Sequence, residues 1–357
     1  MMKRIYRLSI LAAAVMSLIS CAKSVIEGQS EANKREFDAW LSVNAPEAER
    51  AGRGIYVLPE YTAEGTGETV ETDGFAIIRY VITNLDGTIS DFTDKQYAEQ
   101  LGIYDHASYY GAVVQTTTAE TIRAGVADAI IGMKVGGKKK FIVPSWLMSY
   151  SNFDTEQEYL DSDTEFSSAI YEIEIVDFTK NINDWQFDRM VECINQPDFY
   201  DGAFGTIEVK DSTSFGLYFA PIVEVESNEE FPDDTTIYIN YTGKLLDLPK
   251  YYGDGLVFDT TIENLAKDHY IYSDSKTYGP VAVKWGSTHS EITLSGSTVV
   301  SGFSQTIWNM INKSSDTKAT KAVGVFYSEL GYGYTGSGSI PSYAPLVFEI
   351  EIVEKPE

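Results

Sequence analysis

The chain of 357 residues is poor in cysteine and histidine. It has two cysteines, Cys21 and Cys193, and three histidines, His106, His269 and His289. The histidines form no H-x-x-x-H pair and have no paired cysteines beside them, so the sequence offers no ligand set for zinc. No G-x-S-x-G turn for a nucleophilic serine is present, and no glycine-rich loop with a lysine precedes a helix to hold phosphate. We therefore expect neither a metal ion nor a cofactor.

Positive charge is also scarce, because 27 Lys and Arg stand against 53 Asp and Glu, which gives a net charge of −26. Such a chain repels the phosphate backbone of nucleic acids, and no compact basic stripe offsets the repulsion. We therefore expect no nucleic-acid partner. The acidic residues of segment 84–94 and the pair Asp233 and Asp234 lack the spacing of a calcium loop and are interpreted as solvated turns.

A long apolar run occurs only at the N-terminus, where Lys3, Arg4 and Arg7 precede the stretch LSILAAAVMSLIS. This stretch is too short to span a bilayer comfortably and is typical of a signal peptide. It ends in LISC, which resembles the bacterial lipobox. The resemblance implies cleavage before Cys21 and lipidation of that residue, whereas an ordinary signal peptide is the alternative.

This resemblance predicts a protein of the cell envelope that is attached to a membrane by its lipid alone. Residues 22–28 lack an acidic cluster, which favours the periplasmic face of the outer membrane. Lipidation of Cys21 leaves Cys193 without a disulfide partner. Cys193 lies in the amphipathic stretch WQFDRMVECINQ and is interpreted as a small buried apolar residue.

The chain contains two copies of one architecture. IYEIEIVDF (170–178) and VFEIEIVEK (347–355) align at an offset of 177 residues. FAIIRYVITNLDG (75–87) and TIYINYTGKLLD (236–247) align at an offset of 161 residues, which places Tyr80 on Tyr241. A drifting offset indicates a duplicated unit with longer insertions in the second copy.

Each copy shows the alternation of half-buried antiparallel strands and one short amphipathic segment. Ile237, Ile239 and Tyr241 share one face of a strand, and VVSGFSQTIWNMI (299–311) has apolar residues at helical spacing. We therefore predict an α+β fold with two domains, each an antiparallel β-sheet wrapped on one short helix and each preceded by a helical segment. The predicted segments are a signal peptide (1–21), a helical N-terminal linker (22–53), a first domain (54–179), a helical linker (180–215) and a second domain (216–357).

The loop 331–346 carries tyrosines where loops are usually polar. Either these side chains fold back to complete the core, or they line an apolar pocket at the end of the sheet. Composition alone leaves both interpretations open.

Separated motifs of the second copy resemble, in the same order, those of FKBP-type peptidyl-prolyl cis-trans isomerases. They are YTGKLLD, GLVFDTT (255–261), VVSGF (299–303) and LGYGYTGSGSIPSYAPLVFEIEIV (330–353), so the match spans most of residues 216–353. The stretch GMKVGGKKKFIVPS of the first copy is also similar to the family. The resemblance implies two tandem FKBP-like domains, with a long insertion at 262–291 as a departure from the family pattern.

The resemblance places the pocket-lining residues of the family on nine positions of the second copy. They are Tyr241, Phe258, Asp259, Val299, Val300, Phe303, Tyr332, Ile340 and Phe348. It implies that Phe258, Phe303 and Phe348 enclose the proline ring. Phe303 stands where the family has tryptophan, and Gly331 stands where it has alanine.

The first copy departs further from the family. Tyr80 and Asp91 are retained, but Ser90, Arg123 and Val126 replace a phenylalanine, an aliphatic residue and the tryptophan. We therefore interpret the first copy as a degenerate FKBP-like domain that serves as a scaffold or binding module.

Taken with the signal sequence, the resemblance implies a lipid-anchored isomerase that acts on X–Pro bonds of exported polypeptides, mainly through its second domain. Its partners would be proline-containing polypeptides and a membrane. The alternatives are a non-catalytic peptide-binding or chaperone module of the cell envelope, and a scaffold whose two domains only bind partners.

Overall fold

The computed structural model describes residues 28–356 apart from 151–152, 163, 206–215, 226–234, 249, 252 and 312–317. The predicted signal peptide and Cys21 lie outside the described residues. Within the described residues, none of the helices has the length and apolar character needed to cross a bilayer.

The described residues form seven α-helices and seventeen β-strands. The α-helices are Gln29–Asn44 (α1), Lys95–Gln100 (α2), Ala124–Ile130 (α3), Glu156–Leu160 (α4), Ile182–Ile194 (α5), Glu263–Asp268 (α6) and Ser301–Ile311 (α7). The strands are Glu49–Ala51 (β1), Ile55–Val57 (β2), Phe75–Asn84 (β3), Ile89–Phe92 (β4), Val113–Thr116 (β5), Lys138–Val143 (β6), Ala169–Thr179 (β7), Leu217–Val225 (β8), Thr236–Leu245 (β9), Asp247–Leu248 (β10), Gly253–Asp254 (β11), Val257–Thr260 (β12), Val281–Lys284 (β13), Thr293–Leu294 (β14), Ser297–Thr298 (β15), Lys318–Phe326 (β16) and Leu346–Val353 (β17).

Apart from the two-stranded pair β10–β11, the strands form two antiparallel sheets of matching topology. The first sheet has the order β1-β2-β6-β7-β3-β4, with β5 also paired to β3. The second has the order β15-β14-β13-β9-β17-β16-β8, with β12 also paired to β9. The run β2-β6-β7-β3 thus corresponds to β8-β16-β17-β9. The duplication and the α+β class predicted from the sequence are confirmed.

The alternation of side chains explains how each sheet gains a buried face. In β9, Ile237, Ile239 and Tyr241 are buried while the residues between them are partly exposed. The helix α7 covers this side of the second sheet, and Gly302 allows its close approach. A Cβ atom at Gly302 would lie 2.3 Å from the ring of Phe326 on β16, a separation that real Cβ atoms do not show.

Each of the two segments predicted as helical linkers contains a helix among its described residues, α1 or α5, and both helices pack against a domain. In α1, Phe37 is buried and the Trp40 Nε1–H donates a hydrogen bond to the Leu85 carbonyl oxygen at 2.7 Å. In α5, Met190 and Cys193 are fully buried in the core that also contains the second sheet. The first sheet also begins at Glu49–Ala51, which was assigned to the N-terminal linker. Both helices pack against a domain because each buries an apolar face, and this packing stabilises α1 and α5.

The core of the second domain continues into the first. Ile77 on β3 and Val176 on β7 belong to the same cluster of buried side chains as Trp185 and Tyr251. The first domain therefore contributes apolar surface to the core that supports the second.

Candidate active site in the second domain

Three adjacent strands and one helix position the aromatic side chains predicted for the pocket. Tyr241 lies on β9, and β9 pairs with both β12 and β17. Phe258 lies on β12 and Phe348 on β17, while Phe303 lies in the first turns of α7. Backbone pairing thus fixes these side chains at one end of the sheet.

The rings form an edge-to-face cluster around Phe348. The ring centroids of Phe348 and Phe303 are 5.1 Å apart at 80°, and those of Phe348 and Phe258 are 5.7 Å apart at 76°. Tyr241 meets Phe303 at 5.3 Å and 81°. These are favourable geometries for aromatic quadrupoles. Phe303 and Phe348 are buried, whereas Phe258 remains half-exposed at the edge of the cluster.

Gly243 provides the space in which this cluster lies. It pairs with Phe348 across β9 and β17, and a Cβ atom at this position would lie 2.7 Å from the rings of both Phe258 and Phe348. Any larger residue would have to displace an aromatic ring. Gly243 is part of the motif YTGKLLD, but the motif by itself predicts no role for it.

A charged and polar group borders the aromatic cluster. The Tyr241 hydroxyl donates a hydrogen bond to Asp259 Oδ2 at 2.7 Å, and the Lys276 ammonium forms an ion pair with Asp259 Oδ1. Burial, followed by the negative charge of Asp259, raises the pKa of Tyr241. The phenol therefore stays protonated and holds the carboxylate at the rim of the site.

Lys276 was not predicted, although the sequence contains a signal for its position. It lies in the segment 262–291, and a related turn occurs in the first domain. Ile271 N–H donates to the Ala266 carbonyl oxygen at 2.9 Å, as Ile103 N–H does to that of Ala98 at 2.9 Å. Two tyrosine rings stack after α6, with centroids 5.2 Å apart, and two stack after α2, with centroids 5.5 Å apart. The segment is thus a shared feature of both copies, and an alignment of these tyrosines would reveal it.

The remaining predicted residues surround the same cluster. Tyr332 is half-buried against the same apolar core, and burial followed by the negative charge of Asp259 raises its pKa. Ile340 is buried and is held by reciprocal backbone hydrogen bonds with Ser337 at 2.9 Å.

Val299 and Val300 precede α7 and pack, half-buried, against the core of the second domain. The Val300 carbonyl oxygen accepts hydrogen bonds from the Phe303 and Ser304 N–H groups at 3.1 and 3.2 Å. The structure therefore joins Tyr241, Phe258, Phe303 and Phe348 by ring contacts and Asp259 by a hydrogen bond. Val299, Val300, Tyr332 and Ile340 belong to the same apolar core. The described interactions include no ring contact between them and this cluster.

The first domain keeps the polar pair but lacks the space for the aromatic cluster. Tyr80 O–H donates to Asp91 Oδ2 at 2.9 Å, as Tyr241 does to Asp259. Ile82 pairs with Tyr171 and thus occupies the position of Gly243. The Ser90 hydroxyl donates to the Ile82 carbonyl oxygen at 3.2 Å, in place of the Phe258 ring. The first domain thus has a serine in place of Phe258 and an isoleucine in place of Gly243.

Arg123 further changes the first domain. Its Nη1–H group donates to the Tyr171 hydroxyl at 3.5 Å and lies 4.0 Å from Met148 Sδ, so a cation stands where the second domain has Val300. The corresponding region of the first domain thus contains a charged side chain among buried apolar ones. Among the described residues, no group of three or more His, Cys, Asp or Glu side chains is arranged to hold a metal ion.

No family model matches the chain, and no curated protein matches it. Solved structures similar to it include a peptidyl-prolyl cis-trans isomerase from Pseudomonas syringae pv. tomato, with 16% identity, 43% of this chain and 98% of that chain covered, and a TM-score of 0.30. The three FKBP domains of wheat FKBP73 match with 16% identity, 84% and 94% coverage and a TM-score of 0.25. FkpA from Escherichia coli matches with 18% identity, 48% and 70% coverage and a TM-score of 0.30.

The first two of these structures are described by the family or activity that the sequence motifs indicated. At these identities and TM-scores, the similarities carry no argument about what the chain does.

Proposed function

We propose that this protein is a peptidyl-prolyl cis-trans isomerase whose activity resides in the second domain. The observation that supports the proposal most strongly is the cluster of Phe258, Phe303 and Phe348 beside the Tyr241–Asp259 pair. This is an apolar enclosure with a polar rim, and its residues are the ones that the family resemblance selects.

The site fits a reaction that requires no nucleophile, acid, base or metal ion. Rotation about a peptide bond has a barrier of about 18–20 kcal/mol because the amide loses its resonance as it twists. Uncatalysed X–Pro isomerisation takes roughly tens of seconds. An apolar enclosure favours the twisted amide over the planar one, since the planar carbonyl is better stabilised by water.

Each side chain has a role in this proposal. Phe258 and Phe348 enclose the proline ring above the buried Phe303, while Ile340 closes one side. The Tyr332 hydroxyl donates a hydrogen bond to a substrate carbonyl, and the Val300 N–H donates to a second one.

The polar pair has a positioning role. Tyr241 and Asp259 hold each other at the rim of the site, and Lys276 fixes the second oxygen of the carboxylate. The pair keeps the aromatic walls apart so that a proline ring can enter.

Activity is tested with the full chain in a proline-limited refolding assay and with a short peptide that contains one X–Pro bond. Phe258→Ala and Tyr332→Ala should each lower the rate by about tenfold, which corresponds to roughly 1.4 kcal/mol of lost transition-state stabilisation. Tyr334→Ala is the matched control, because Tyr334 lies in the same loop and is 73% exposed. Full activity in both site variants would overturn the assignment of the site.

The cellular setting is part of the proposal. The lipobox-like sequence that ends at Cys21 supports a lipid-anchored protein of the cell envelope, with exported polypeptides as substrates. Incorporation of labelled palmitate by the expressing bacterium, and its loss in Cys21→Ser, tests the anchor. Equal labelling of both proteins would contradict it.

A non-catalytic peptide-binding module is the second candidate. It is supported by the first domain, where Ile82 and Arg123 replace the apolar enclosure. In this case the proline peptide binds to the full chain, Phe258→Ala weakens the binding, and no rate above background is measured with the unaltered chain.

A further inference from the structure

A groove of about 550 Å³ lies between the helix α1 and the first domain. Aromatic side chains form its walls and two carboxylates lie at its margin. Its lining includes Glu36, Phe37, Trp40, Asp86 and Phe166. None of them belongs to the site proposed for isomerisation.

The groove is held open by fixed contacts. The Trp40 indole N–H donates to the Leu85 carbonyl oxygen at 2.7 Å and thereby ties α1 to the turn between β3 and β4. At the start of α1, the Ser30 hydroxyl donates to the Leu160 carbonyl oxygen at 3.0 Å. The aromatic walls are therefore in place before any ligand binds, which lowers the entropic cost of binding.

The two carboxylates have no cation of this chain as a partner among the described residues. Asp86 accepts hydrogen bonds from Thr88 N–H at 2.9 Å and from the Thr88 hydroxyl at 2.6 Å, and these bonds lower the pKa of its carboxyl. Glu36 is exposed on α1. The nearest lysine on the helix, Lys34, is already held by Asp38 and Glu156 at 2.9 and 3.2 Å. Among the described residues, no ion pair therefore involves Glu36 or Asp86.

The second domain shows what this position accommodates. The helix α5 corresponds to α1, and Asp247 corresponds to Asp86. There the chain after α5 turns back, and Phe199, Tyr200, Lys244 and Asp247 line a smaller space of about 160 Å³. The Lys244 ammonium lies 4.8 Å from the centroid of the Tyr200 ring. In the first domain, residues 45–48 connect α1 directly to β1, so no equivalent segment lies in the groove.

We propose that the groove between α1 and the first domain binds a basic, aromatic-containing stretch of an unfolded polypeptide. A lysine or arginine of the ligand pairs with Glu36 and Asp86, and an apolar side chain beside it packs on Trp40 and Phe166. The ligand repeats the combination of lysine and aromatic rings that the second domain supplies from its own chain. This surface is a capture site separate from the proline site, and its existence does not depend on isomerase activity.

The proposal is tested by isothermal titration calorimetry of the full chain with two peptides that contain no proline. They are acetyl-Gly-Lys-Phe-Lys-Gly-amide and its counterpart with glutamate in place of both lysines. We expect measurable binding of the lysine peptide at low salt, no binding of the glutamate peptide, and weaker binding as salt screens the charges. Equal affinity for both peptides would overturn the proposal.

Variants then locate the site. The double variant Glu36→Gln/Asp86→Asn should weaken binding of the lysine peptide by roughly five- to tenfold, as expected for two partly exposed ion pairs. Glu31→Gln/Glu60→Gln is the matched control, because it removes the same charge from exposed positions outside the groove. An equal loss in both double variants would show a general charge effect and would overturn the proposal.

Self-association is the competing outcome. If sedimentation shows that the unaltered chain dimerises and that Glu36→Gln/Asp86→Asn dissociates the dimer, the groove is an interface between two copies and the proposal is wrong. Isomerase activity is measured on the same samples and should be unchanged by Glu36→Gln/Asp86→Asn. Failure of the capture site is thereby distinguished from failure of the proline site.

Discussion

The Tyr251 hydroxyl donates a hydrogen bond to Asp177 Oδ2 at 3.0 Å and so joins the second domain to the last strand of the first. Asp177 Oδ2 also accepts from Trp185 Nε1–H at 3.0 Å and lies 3.4 Å from Arg189 Nη1. Arg189 in turn donates to the Tyr251 hydroxyl at 2.9 Å. Because Tyr251 is buried, this network holds the two domains and α5 in one arrangement.

Tyr251→Phe removes this hydroxyl and should lower the free energy of unfolding by about 1–3 kcal/mol, since Asp177 and Arg189 lose a buried partner. Denaturant unfolding of the full chain measures the effect. Tyr61→Phe is the control, because Tyr61 is 53% exposed. Equal stability of the two variants would show that the network does not stabilise the domain junction.

Gly243→Ala should reduce isomerase activity strongly, because the new Cβ atom meets the rings of Phe258 and Phe348. We expect a rate at least about tenfold lower and an overpacking cost of about 1–3 kcal/mol in unfolding free energy. The control is Ile82→Ala, at the equivalent position of the first domain. It should leave the rate per folded molecule unchanged, and a similar loss in both variants would contradict the placement of the site.

Phe303→Trp introduces the residue that the FKBP family has at this position. Phe303 is already enclosed by Tyr241 and Phe348 at 5.3 and 5.1 Å, so the larger indole has to displace one of these rings. We expect a loss of about 1–3 kcal/mol in unfolding free energy and no gain in rate. A faster enzyme of unchanged stability would show that the floor retains space for tryptophan.

The rate of isomerisation should be independent of pH between about 6 and 9. The pKa values of Tyr241 and Tyr332 are raised by burial and by Asp259, so both phenols remain protonated throughout this range. The peptide assay across these pH values, at constant ionic strength, measures this. A bell-shaped profile would instead indicate acid–base catalysis.

Stability should decrease at alkaline pH, in part through Cys193. Burial raises the pKa of this thiol from its ordinary value of 9.0 to about 11. The folded chain favours the neutral thiol, so this contribution to stability is complete below pH 9 and is lost as the pH rises through about 11. Denaturant unfolding at pH 8 and pH 11 should show a smaller loss in Cys193→Ala.

The thiol provides a second measurement of the same burial. In a Cys21→Ser chain, Cys193 is the remaining thiol, and Ellman's reagent should label it at pH 8 only when denaturant unfolds the chain. Immediate labelling of the folded chain would contradict the buried position of Cys193.

Local pattern was sufficient to predict the antiparallel strands, and it selected aromatic residues whose rings lie in contact. The alternation in segment 236–241 indicated which face of β9 is buried, and motif order selected Phe258, Phe303 and Phe348. The repeated tyrosines indicate the turn that carries Lys276, but not its ion pair with Asp259, because the two residues are 17 positions apart in the chain. The packing of α1 on the first domain was not predicted. An exposed linker helix and a helix that packs on one face can have similar residue compositions.

The sequence by itself determined the duplication, the antiparallel α+β class and the aromatic character of the second site, because side-chain periodicity and repeated motifs are local properties. Only the tertiary structure decided that Gly243 leaves room for the aromatic cluster, that Ile82 fills this space in the first domain, and that Tyr251 joins the domains. These features depend on contacts between residues far apart in the chain. Their distances are set by how the sheets and helices pack, which the order of residues does not display directly.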